Sequence, residues 1–330
     1  MSDGVTTTVD TSEQITDTPE RVDAAIAALK KSGRRALFNV CVAGTDKFAA
    51  EMARVRKQYF SSDDQLLTLA AGGGNPDTWK IARSFGAPIV AHFWGGLGRD
   101  LQPLQKEGVL GPDMEFIHFT QQPESNWKIV ADTGIKLSIA PAIEMQMRHG
   151  MPPFQKALDH GIRPSLSVDV ECNMTSDFFT IMRTAYTLQR ALVNERVIDG
   201  EQNVPPLLTC RDVIELATMQ GARTTHLDSK IGSLTPGKEA DVIMLATNRM
   251  NVFPLNNVPG TVVTLMDTSN VENVFIAGKI MKWQGKLVGV DVDRLGRQIE
   301  QARDGILARA KYPRDLFGTC CIGPETPGGK

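Results

Sequence analysis

The chain has little that points outside the cytoplasm or toward a charged partner. Cysteine supplies only five of 330 residues, at Cys41, Cys172, Cys210, Cys320 and Cys321. No CxxC and no framework spacing occurs among them, which excludes a disulfide scaffold and fits a reduced cytoplasmic protein. Adjacent Cys320 and Cys321, in a Gly/Pro-rich stretch, do not read as a ligand pair. An excess of one charge is also missing: the net charge is −2, the pI is near 6.2, and Lys and Arg are scattered. Neither a nucleic-acid nor an anionic-membrane partner is expected. No apolar run approaches the length that spans a bilayer. Met1-Ser2-Asp3-Gly4 has neither the basic nor the apolar region of a secretory signal.

What is present is a regular alternation. The hydrophobic share of 42% suffices for one large domain and a small appendage. Strand-length apolar runs fall at Val5–Val9, Ala36–Ala43, Leu66–Ala71, Pro88–His92, Met114–His118, Lys136–Ala140 and Pro164–Val170. Their near-continuous apolar character suits a parallel sheet covered on both faces. Helical patterns lie between them. One starts at Thr18-Pro19-Glu20, with Thr18 as N-cap and Pro19 at the first helical position. Others cover about 46–58, 76–85, 101–107, 124–132 and 152–159, and two more begin near Ser176-Asp177 and after Thr209. Gly72-Gly73-Gly74-Asn75 lacks the ending of a P-loop and reads as a tight strand-to-helix turn.

Seven strand–helix units predict an α/β fold with right-handed crossovers, a TIM-type (β/α)8 barrel without its first strand. Only four residues precede the first visible strand, whereas a further strand with its crossover needs at least ~10–12 more. The last third differs. A turn at Gly232–Gly237 leads into a strand ending near Leu245, and short strands follow at Val262–Met266, Val271–Ala277 and Lys279–Trp283. The expected organisation is a barrel over 1–228 and a small β-domain, part of a sandwich, over 229–290. An amphipathic helix over 291–312 and a loose tail over 313–330 complete it. The absent strand leaves two sheet edges, so a homo-oligomer is expected.

Barrels of this kind carry their chemistry at the C-terminal ends of the strands. His92, His118 and Asp169 occupy that position on three separate strands. A lone strand-end His is more often an ordinary hydrogen-bonding residue. An aspartate in an apolar strand is costly unless paired, and the three together point to one site. Imidazole and carboxylate suit zinc or iron(II), and three ligands plus a water form a catalytic centre. Phe93 and Trp94, next in the chain, fit an apolar wall for a flat substrate as well as ordinary core. Glu144 and His149 follow the Lys136–Ala140 strand. Glu144 suits either proton transfer or a salt bridge at a helix start, and His149 suits the mouth of the site.

Ala91-His92, Ile117-His118, Ser167-Val168-Asp169 and the run Gly232-Ser233-Leu234-Thr235-Pro236-Gly237-Lys238-Glu239-Ala240-Asp241 resemble the amidohydrolase superfamily. The branch in question holds atrazine chlorohydrolase and cytosine deaminase. The resemblance covers nearly the whole chain. It implies that His92, His118 and Asp169 are metal ligands, that His118 binds metal or the substrate's polarised atom, and that Asp169 accepts a proton. It assigns the 232–241 run a structural role. The family's His-x-His on strand one is absent here. The Glu three residues beyond the first ligand His is absent too, since His92 is followed by Phe93-Trp94-Gly95; Glu144 is the substitute available. The implied activity is hydrolysis of a C–N or similar bond in a small cyclic molecule by metal-activated water. A metal-free isomerase, dehydratase or cyclase of secondary metabolism, and an inactive member, stay open as alternatives.

Overall fold

A computed structural model describes residues 1–11, 17–95 and 100–312. Residues 1–287 form one compact unit, and the remainder, from Val288, forms another.

Seven strands make one parallel sheet: β1 Thr7–Asp10, β2 Arg35–Val40, β3 Leu67–Gly72, β4 Ile89–Phe93, β5 Met114–His118, β6 Lys136–Ile139 and β7 Ser165–Leu166. Each pairs with its neighbours in chain order, β1 to β7. The crossovers carry α1 Pro19–Ser32, α2 Thr45–Tyr59, α3 Pro76–Ser84, α4 Gln102–Lys106, α5 Glu124–Thr133, and then α6 Pro141–Gln146 and α7 Phe154–Asp159. After β7 come α8 Phe178–Ile198, α9 Cys210–Glu215 and, beyond one π-helical turn, α10 Gly221–Thr224. This is the expected α/β architecture, a curled half-barrel of parallel strands.

The helix starts follow local chemistry. Asn75 caps α3 with a reciprocal capping box to Thr78, and the turn before it bends through Gly73 and Gly74, at φ 60° and 89°. A Cβ on Gly74 would come within 2.2 Å of the Thr78 hydroxyl. Asp177 and Thr209 cap α8 and α9 through their side chains.

Strand alternation sorts the sheet into two faces. Phe38, Leu69, Ile89, Phe93, Met114 and Phe116 pack under the helices against Ile26, Met52, Trp79 and Trp127. Leu37 and Ala70, on the inner face, pack against Ala222, Leu227 and Ile231. Burial of such side chains, at roughly 25 cal/mol per Å² of apolar area, is the main stabilising term.

The second sheet is antiparallel, in the order β11-β10-β9-β8, from β8 Val242–Leu245, β9 Val271–Ile276, β10 Lys279–Trp283 and β11 Lys286–Leu287. The strand expected at Val262–Met266 is instead helix α11, Val258–Thr264. Its β-branched run favours a strand locally, but Asn257 accepts from the Gly260 N–H and Pro259 sits in the first turn, which starts a helix. The 232–241 run ends at Asp241, whose carboxylate grips Arg35 of β2 bidentately, at 2.7 and 3.0 Å. Both side chains are buried. Asp241 also accepts from the Ala277 N–H at 2.8 Å, so the motif's end ties the two sheets together.

In the other unit, α12 spans Val292–Ala310 with Asp291 as N-cap. Residues 313–330, expected as a tail, lie outside the described residues.

Candidate active site

His92 closes the inner-face series of β4, and by alternation the next residue, Phe93, faces the helices. Phe93 is buried, with its ring 4.7 Å from Phe116 and 5.5 Å from Phe119. Of the two roles open to Phe93 in the sequence, substrate wall or core, its side chain lies in the core. Trp94, one residue on, leaves the strand and stacks on His149, with centroids 4.6 Å apart and planes at 13°.

Strict alternation would send His118 after Phe116 into the helix layer. Its φ of 73° breaks the strand, and its ring lies 5.7 Å from that of His92 and edge-on to His149 at 4.9 Å. His118 is almost wholly buried. Its Nδ1 is 3.1 Å from Glu144 Oε1, and its Nε2 is 3.8 Å from Asp169 Oδ2. The second separation is too long for a direct hydrogen bond, yet both atoms can reach one bound atom.

The strand expected over Pro164–Val170 pairs only at Ser165–Leu166. Asp169 lies three residues past it, at φ 58°, with its N–H donating to Ser167 Oγ at 3.1 Å. His118, Phe119, Gln121, Arg148 and Asp169 all have φ between 52° and 73°. A cluster of non-glycine residues in the left-handed region is strain of the kind functional sites hold.

Glu144 sits on α6, a six-residue helix, and is fully buried. Its Oε1 accepts from the Ala140 N–H at 2.9 Å, while Oε2 has no partner. Burial pushes its carboxyl up to about 8; the Ala140 bond opposes this and the Asp169 charge adds to it. Glu144 is thus neutral at pH 7. Burial holds His118 below the ordinary imidazole range, with Asp169 opposing, and lowers His149 as well. A neutral Glu144 must carry its proton on one oxygen. On Oε2 the hydroxyl would be a buried donor without a partner; on Oε1 it donates to His118 Nδ1. The second is favoured, which assigns the other imidazole proton to Nε2, facing Asp169.

One buried carboxyl escaped sequence reasoning. Glu115 of β5 lies on the inner face, hydrogen-bonded to Ser138, and burial pushes it up to about 7. A lone Glu in the apolar run Met114–His118 was its only signal.

His92, His118 and Asp169 thus converge on one end of the sheet, with Glu144, His149 and Trp94 around them. Among the described residues, however, no three His, Cys, Asp or Glu side chains are grouped to hold a metal ion. With Nδ1 of His118 turned to Glu144, the donors left at this end are Nε2 of His118, Oδ2 of Asp169 and the imidazole of His92, 5.7 Å from His118 by ring centroid, and among the described residues they are not grouped as an ion requires. A catalytic zinc takes three protein ligands, so the donor set does not fit one.

Known proteins share this framework. The sequence model of the amidohydrolase family matches residues 1–281. The 5'-deoxyadenosine deaminase of Methanothermobacter thermautotrophicus is 30% identical over 226 residues, covering 68% of this chain and 48% of that protein. The 5-methylthioadenosine/S-adenosylhomocysteine deaminase of Desulfitobacterium hafniense is 26% identical over 207 residues, covering 62% and 46%. The chain spans about half the length of the curated relatives it matches. Among solved structures, an adenosine deaminase from Xanthomonas campestris with bound zinc superposes with a TM-score of 0.76 at 22% identity, covering 87% of this chain and 70% of that one. The atrazine chlorohydrolase of Arthrobacter aurescens, complexed with zinc, does so with a TM-score of 0.75 at 17% identity, covering 90% and 72%. With a family match that extends from β1 into β10, the chain belongs to the amidohydrolase family.

Proposed function

We propose that the chain is a hydrolase that removes an amino group from a small, flat nitrogen heterocycle of the aminopurine class. The observation that carries this is the run Glu144–His118–Asp169, with a neutral carboxyl behind a neutral imidazole and a carboxylate in front of it. Water adds its oxygen to the amino-bearing carbon and passes a proton to Asp169. His118 Nε2–H protonates the adjacent ring nitrogen, and Glu144 replaces that proton through Nδ1. The proton on Asp169 then leaves with the amine as ammonia, and as the carbonyl forms the hydroxyl proton of the intermediate returns to His118 Nε2 while Nδ1 gives its proton back to Glu144. Each positioned proton transfer is worth ~10²–10⁴ in rate. Trp94 and His149 offer a flat surface for the heterocycle. The names of the relatives, deaminases of adenine nucleosides, support the substrate class.

No step here passes through zinc or iron(II), because the described residues supply too few grouped donors. The same observation favours a second reading, a metal-free isomerase, dehydratase or cyclase run by the same acid and base. Cys41, Cys172 and Cys210 form no disulfide, and among the described residues no helix is long and apolar enough to cross a membrane. Among the described residues β1 and β7 each have one strand neighbour. The open sheet edges support self-association, and the cytoplasmic location expected from the sequence stays part of this proposal.

The test is ammonia release from adenine nucleosides, free aminopurines and amino-triazines by the purified chain. Release from at least one is expected, falling at least ~10²-fold in Asp169→Asn and in His118→Asn. Folded protein that releases ammonia from none of them refutes the deaminase reading. Conversion of a substrate without ammonia release would favour the second.

A further inference from the structure

We propose that Gln121 is a positioning residue that sets the Trp94–His149 pair across the mouth of the site. Three segments meet at its side chain. It leaves the backbone three residues past His118. Its Nε2 donates to the His149 carbonyl at 3.1 Å, and that carbonyl also accepts from Thr120 Oγ1 at 2.5 Å. Against the same amide lies Gly95, where a Cβ would come within 2.4 Å of Oε1. Gly150 lies against it too, where a Cβ would come within 2.9 Å of Nε2. Gly95 is the residue after Trp94, and Gly150 the residue after His149. The segment leaving β4 and the segment leaving α6 therefore close on one amide, each with a glycine at the contact. Their preceding aromatic rings stack at 4.6 Å, and His149 in turn stands edge-on to His118.

The backbone of Gln121 is at φ 57°, a conformation that glycine takes without steric cost and other residues do not. The position thus favours glycine by its backbone, and what glutamine adds there is its side chain. The function of the stacked pair as a platform for a planar substrate rests on the proposed deaminase reading; the geometry of the clasp does not.

The test uses Gln121→Gly, Gly95→Ala and the double variant in the full chain. Gln121→Gly removes the amide and suits the backbone, so the Tm is expected to hold within about 5 °C. Trp94 emission, isolated as the difference between each protein and its Trp94→Phe counterpart, should change in Gln121→Gly. Gly95→Ala should change it in the same direction by pushing the amide aside. The double variant should match Gln121→Gly, because the added methyl then meets no amide. With adenosine as the probe, the Kd should rise about 3- to 10-fold in Gln121→Gly, the loss of roughly one hydrogen bond. Unchanged Trp94 emission in Gln121→Gly, or additive effects in the double variant, overturns the proposal. Absence of adenosine binding by the wild type would count against the deaminase reading alone, since the emission arm still decides the clasp.

Discussion

Replacement of Glu144 by glutamine should lower activity and make stability, relative to wild type, rise with pH. Gln is close in shape to the neutral carboxyl, but with its carbonyl accepting from the Ala140 N–H its NH2 takes the place of Oε2 as a buried donor without a partner, at a cost of ~1–3 kcal/mol at every pH. Its amide cannot pass a proton to His118 Nδ1, so activity at pH 7 is expected to fall ~10²–10⁴-fold. Stability follows from linkage. The Glu144 carboxyl is raised by burial from 4.5 to about 8 in the folded state. Below pH 4.5 folded and unfolded chains both hold this proton, and the shift has no effect. As pH climbs from 4.5 toward 8 only the unfolded chain releases it, so the folded state loses ground, and above about 8 the loss is complete. At ~1.4 kcal/mol per pKa unit the ceiling is ~5 kcal/mol. Relaxation around the buried charge brings the expected gain of Glu144→Gln relative to wild type, between pH 4.5 and pH 8.5, to ~2–3 kcal/mol. Urea unfolding of both proteins at the two pH values measures this. A variant whose stability difference from wild type is the same at both pH values, or one that keeps full activity, would show that Glu144 is not a buried, proton-holding acid.

Two other expectations concern the frame and the ion. Asp241→Ala leaves Arg35 buried without its bidentate partner, which should cost ~3–5 kcal/mol in denaturant unfolding; a cost under ~1 kcal/mol would mean that the pair is dispensable. Protein loaded with zinc or iron(II) and then desalted should retain well below one ion per chain by elemental analysis, and a stoichiometric ion would refute the reading of the donor set.

Much of the frame was legible because it depends on local pattern. The Met114–His118 and Lys279–Trp283 strands match at both ends, Asp177 and Thr209 cap helices as their residue types suggest, and Thr18 holds the expected N-cap position without a side-chain hydrogen bond. The site was legible in part. His92 and His118 end their strands, but Phe93 could have been excluded as a wall by alternation alone, since it faces away from its neighbour His92. Val262–Met266 misled because its β-branched residues prefer a strand, whereas Asn257 and Pro259 upstream decide the outcome. The contact of Asp169 with His118 follows from their shared strand-end position, whereas that of Gln121 was hidden: its backbone is left-handed and its partner comes from a segment distant in sequence, so no periodicity records it.

The strictly sequential order of the seven parallel strands has a consequence for how the molecule comes into being. Each new strand needs only the one made just before it, so the curled sheet can grow vectorially as the polypeptide leaves the ribosome, with short loop closures at every step. The bond between Arg35 and Asp241 spans 206 positions and can form only once nearly the whole unit has been synthesised. It acts as a late clasp on a structure that has already wound itself up from its amino-terminal side.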